Sequence, residues 1–136
     1  MILTLVLALA QVAVATREPL PATPWSETVS GTCGRSTIRV ERAVRPLGVP
    51  ARVLVDGRRI GPAGRALERE LGDGRAAYRF GFACLPGGRG MELRWVRGLA
   101  DGRGGVRYTA GVATFARGTL ISARSEDAAA DAFWYR

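Results

Sequence analysis

Histidine and lysine are both absent from this 136-residue chain, and all 20 of its basic residues are arginine. Their absence removes the Ser-His-Asp triad, the Cys-His pair, the Ser-Lys dyad, the imidazole metal site and the Schiff base. The acid–base chemistry that remains is that of carboxylates. Asp56, Asp73, Glu92 and Asp101 are the candidates for a glycosidase-like pair, outside the termini and one short helix. Each also has a plainer role. Asp56 stands in an Asp-Gly turn, Asp73 and Asp101 sit beside loop glycines, and Glu92 lies on the arginine face of its strand. Thr16 would be an N-terminal nucleophile if the preceding segment were cleaved, but the proline-rich stretch after it offers nothing to hold it. No catalytic residue, metal ligand or cofactor site is therefore assigned. A binding protein is the favoured class, with a carboxylate-dependent cell-wall or polysaccharide enzyme as the competing one.

Cys33 and Cys84 are the only two cysteines. They lack the CxxC spacing of redox and metal pairs, so a structural disulfide in an oxidising compartment is the expected use. The N-terminus agrees with that compartment. Residues 2–15 form an uncharged apolar run ending in Ala13-Val14-Ala15, which reads as a signal peptide over 1–15 with the mature chain starting at Thr16. The run is shorter than the roughly 20 residues a bilayer span needs. No cysteine follows it closely, which speaks against a lipid anchor. The expected location is periplasmic or secreted.

The charge is uneven. Residues 16–74 carry 10 arginines against 7 acids, residues 75–124 carry 9 against 2, and residues 125–136 carry 1 against 3. A basic excess in the middle-to-late segment has two readings. The favoured one is a preference for arginine spread over solvated strand faces; the other is a surface that meets an anionic partner, such as the lipid headgroups of a membrane surface, an acidic polysaccharide or an acidic protein. Nucleic acid does not suit an exported chain without a nucleic-acid-binding motif.

The elements that position these residues follow from hydrophobic alternation. Residues 16–30, with Pro19, Pro21 and Pro24, read as an extended arm ahead of a single β-rich domain over 31–136. Ile38 and Val40 alternate with Arg39 and Glu41, and Val55-Asp56-Gly57-Arg58 marks a two-residue hairpin turn. Pro62 followed by Ala63 to Leu71 predicts a short helix, with Gly72 as a left-handed stop. Residues 75–112 then give three strands of an antiparallel meander joined by glycine-rich hairpin loops. The fold class expected is mainly β, a small antiparallel sandwich or barrel with one short helix and one disulfide.

In the simplest register, Phe82 pairs with Met91 and Trp95 with Tyr108. That forms an inner aromatic row Tyr78–Trp95–Tyr108 and buries Cys84 with its bridge. The opposite face then gathers Arg79, Arg94 and Arg107, the candidate binding surface. Thr119 to Ala123 predicts a last strand, residues 126–132 a helical turn or two, and Phe133-Trp134-Tyr135 either a plug for the core or a binding anchor.

The order of Cys33, Ile38, Val40, Val55-Asp56-Gly57, Gly105-Val106-Arg107-Tyr108, Phe115 and Gly118 resembles that of periplasmic inhibitors of c-type lysozymes. The resemblance covers about a quarter of the chain, and the serine and lysine of that family's loop have no counterpart here. It implies a small β-barrel whose loop before Tyr108 enters a lysozyme cleft.

Overall fold

The computed structural model describes residues 26–43 and 48–129. The apolar run 1–15, the arm up to residue 25 and Phe133-Trp134-Tyr135 lie outside the described residues. Strands β1 (Ser26–Cys33), β2 (Ser36–Ala43), β3 (Arg52–Val55) and β4 (Arg58–Arg59) form one antiparallel sheet, here sheet A. Strands β5 (Ala77–Cys84), β6 (Met91–Ala100), β7 (Val106–Ala116) and β8 (Thr119–Ala128) form a second, sheet B. Both are meanders in chain order, and they pack in a sandwich-like arrangement around one core. The fold is the mainly β, antiparallel class with one short helix and one disulfide that the sequence predicts. Strand β1 begins at Ser26, inside the segment read as a proline-rich arm. Pro24 is the last proline there, and beyond it each residue has the backbone N–H a ladder needs.

Alternation builds the core. Val40 lies between Val29 and Val53, and Ile38 lies beside Val55, so sheet A turns one β-branched face inward. Met91, Leu93 and Trp95 do the same for sheet B and are all at most 2% exposed. At the hairpin, Asp56 (φ 52°) and Gly57 (φ 81°) both take the positive φ that a type I′ turn requires. The Asp56 carboxylate also accepts a hydrogen bond from the Thr37 N–H (2.9 Å), pinning the turn to β2.

A 3-10 turn over Pro62–Gly64 leads into helix α1 (Arg65–Leu71), which buries Leu67 and Leu71. Its stop differs from the expected one. Gly72 has φ −95° and is not left-handed. A side chain is excluded there because a Cβ would come within 2.7 Å of the Ala51 nitrogen.

The disulfide joins the last residues of β1 and β5, with Cα atoms 5.5 Å apart. It links the two sheets at one edge, where Gly31 also lets β1 close onto the Phe82 ring. Closing a loop of this length stabilises the fold by about 4 kcal/mol in the chain-entropy account. The bridge is not buried as the parity of Cys84 suggested. Cys33 is half-buried and Cys84 exposed, because both stand at the ends of their strands, at the margin of the core. Strand β8 also runs further than predicted, to Ala128, so Glu126-Asp127-Ala128 is strand and not the start of a helical turn.

Candidate functional site

Register decides which side chains share a face of sheet B. Phe82 pairs with Leu93 and Phe80 with Trp95, two residues from the simplest register, and an even offset leaves every side chain on its expected face. Trp95 pairs with Gly111 and not with Tyr108, an offset of three. An odd offset exchanges the faces of a strand. The aromatic row Tyr78–Trp95–Tyr108 therefore does not form. Tyr78 lies opposite Arg97, and Tyr108 lies opposite Gly98 on the outer face. The core face of β7 is Gly111, Ala113 and Phe115.

The same shift dissolves the three-arginine patch. Arg79 lies opposite Val96, and Arg94 opposite Gly81, so these two are diagonal neighbours on the outer face. Arg107 pairs with Leu99, whose parity is that of the core, so it projects on the other side of the sheet near its end. Arg124 takes its place, because Arg94, Val112 and Arg124 form one row across β6, β7 and β8. The next row is Arg79, Val96, Ala110 and Glu126.

These rows enclose an open groove of about 690 Å³ on the outer face of sheet B. Gly81, Ala83, Val96, Ala110 and Val112 supply a floor of small apolar groups. Val96 is only 5% exposed although it lies on the outer face. Around the floor stand Arg79, Arg94 and Arg124, together with Glu92 and Glu126. Glu92 holds the Arg94 guanidinium at 2.7 Å, so the two like-charged arginines, Arg79 and Arg94, are partly countered. Sequence reasoning missed Arg124 and Val96, which become site residues only once the register is known.

A buried ionic cluster around Tyr78 and the end of α1 was also not legible in the sequence. Arg42 is 4% exposed and pairs with Glu27, itself 5% exposed. Its Nε donates to the Leu71 carbonyl (2.8 Å), its Nη2 to the Asp73 carbonyl (3.1 Å), and its guanidinium lies 4.0 Å above the Tyr78 ring. The Tyr78 hydroxyl donates to the Glu70 carbonyl. The last turn of α1 would otherwise leave carbonyls unsatisfied, and a cation there suits the helix dipole. Burial pushes the Tyr78 phenol up, and the opposing Arg42 and Arg97 charges do not cancel it. Burial also acts to raise the Asp73 carboxyl, but the Arg75 hydrogen bonds and the charges of Arg75 and Arg97 outweigh it. Asp73 is held below the usual range.

The four candidate carboxylates have structural partners. Asp56 caps the Thr37 amide, Asp73 accepts from Arg75, Glu92 holds Arg94, and Asp101 accepts from the Arg103 and Gly105 amides of its own loop. The Asp101 loop, the one before Tyr108, is thus a self-braced hairpin loop. Among the described residues no group of three or more His, Cys, Asp or Glu could hold a metal ion. No family model, curated protein or solved structure matches the chain.

Proposed function

We propose that the chain is an exported binding protein whose contact surface is the outer groove of sheet B, and that its partner is an acidic protein surface. The single observation behind this is the groove itself: an apolar floor of small side chains with arginines from β5, β6 and β8 around it. Export rests on the apolar N-terminal run and on the Cys33–Cys84 bridge, a cross-link that persists in oxidising compartments. Glu92 and Glu126 refine the partner. Two carboxylates among three arginines would repel a uniformly anionic polymer or a lipid headgroup layer. A protein surface that alternates acidic and apolar groups meets both the charges and the floor.

Affinity capture from extracytoplasmic extract of the native host, followed by titration of the captured protein, tests this reading. Binding should weaken as salt rises, because exposed charges are screened beyond about 8 Å at physiological ionic strength. Arg94→Glu should weaken binding about tenfold with the melting temperature nearly unchanged, since the side chain is exposed and its loss leaves the core intact. Equal binding by the variant at low salt would remove the groove as the contact surface.

A further inference from the structure

Sheets A and B together present four lateral edges: β1, β4, β5 and β8. Three are closed from within the chain. The β1 and β5 edges meet through Cys33–Cys84 and the close packing of Gly31 on Phe82. Beside the two-residue β4, the edge of β3 is covered by α1: the Glu68 carboxylate accepts from Val53 N–H (2.9 Å), and the Glu68 carbonyl accepts from Ala51 N–H (2.9 Å). Strand β8 is different. It is 10 residues long, it is exposed on both faces from Ile121 to Asp127, and no described residue pairs with its outer edge. A row of unpaired N–H and C=O groups is a template for a further strand.

We propose that this edge pairs with β8 of a second copy, antiparallel, with Ser125 on the two-fold axis. The charge order selects that register. Centred on Ser125, Arg124 lies opposite Glu126 of the second copy, and Glu126 opposite its Arg124. Centring on Arg124 sets arginine against arginine, and centring on Glu126 sets glutamate against glutamate. Opposite charges facing across strands are favourable and like charges are not. Both side chains are exposed and have no ion-pair partner among the described residues. A two-fold axis through Ser125, perpendicular to the sheet, keeps both outer faces on one side. The result is a continuous sheet of eight strands. Arg124, Ser125 and Glu126 line the β8 wall of the groove, so the two grooves meet at the seam.

Sedimentation equilibrium of the purified chain, from micromolar to millimolar concentration, reads the proposal directly. The parent should pass from monomer to dimer in this range. Arg124→Glu and Glu126→Arg each place like charges opposite one another at both pairs, and each should weaken dimerisation about tenfold or more. The double variant Arg124→Glu/Glu126→Arg restores opposite charges and should return the parent behaviour. Ser125→Cys should cross-link the dimer under mild oxidation, and Ser122→Cys, whose counterpart is Ala128, should not. A parent that stays monomeric throughout, or a double variant no better than the singles, would overturn the proposal. Self-association is measured with no partner present, so its outcome is independent of the Arg94→Glu binding test.

Discussion

Arg42 and Glu27 share a buried environment in which each charge depends on the other. Arg42 also satisfies two backbone carbonyls at the end of α1, so the pair joins sheet A to the helix. Removing one member of such a pair leaves an unpaired buried charge. Glu27→Ala is predicted to lower stability by about 3–5 kcal/mol in denaturant unfolding, far more than loss of an exposed acid. A second residue-scale prediction concerns Asp73, whose folded carboxyl is held below its ordinary value. A depressed carboxylate stabilises the fold at pH above its unfolded pKa, about 4, and that stabilisation is lost as pH falls through the folded value. The stability difference between parent and Asp73→Asn should therefore shrink on acidification below about pH 4. The position of the ion pair was legible in part, since Arg42 has the parity of the buried Ile38 and Val40. Its partner was not, because Glu27 lay in a stretch whose prolines suggested an arm.

At the scale of elements, the pairing of β6 with β7 places every outer-face residue. The exact register was not legible, because the glycine-rich stretch between them permits several loop lengths. Alternation favoured Val106, Tyr108, Ala110 and Val112 as the core face. The structure uses Gly111, Ala113 and Phe115 instead, because the Trp95 indole already fills the space opposite Gly111. A Cβ on residue 111 would come within 2.1 Å of that ring. Gly111→Ala is accordingly predicted to cost about 1–3 kcal/mol, with perturbed tryptophan fluorescence reporting the displaced indole. The strands β2, β3, β5, β6 and β7, the Asp56-Gly57 turn and the helix were readable from local chemistry, where periodicity and turn residues act within a few positions, while β1 was hidden behind its prolines. The faces of β7 were not, because a single odd offset reverses them.

For the whole molecule, two meanders are held together by a shared core and by one bridge between their first strands. The excess of arginine over residues 75–124 does not collect on one patch. Arg75 is engaged by Asp73, Arg97 donates to Thr109, Arg107 projects from the far side, and Arg89, Arg103 and Arg117 sit in loops or turns; Arg79, Arg94 and Arg124 stand around the groove. With Glu92 and Glu126 beside them, the groove is a mixed surface suited to a protein partner and not a broad cationic field. The most direct measurement of this account is a map of amide chemical-shift changes on adding the captured partner. Changes concentrated at Gly81, Arg94, Val96, Ala110, Val112 and Arg124 are the predicted result. Changes concentrated on sheet A, or on the loop from Asp101 to Gly105, with the groove unaffected, would contradict it.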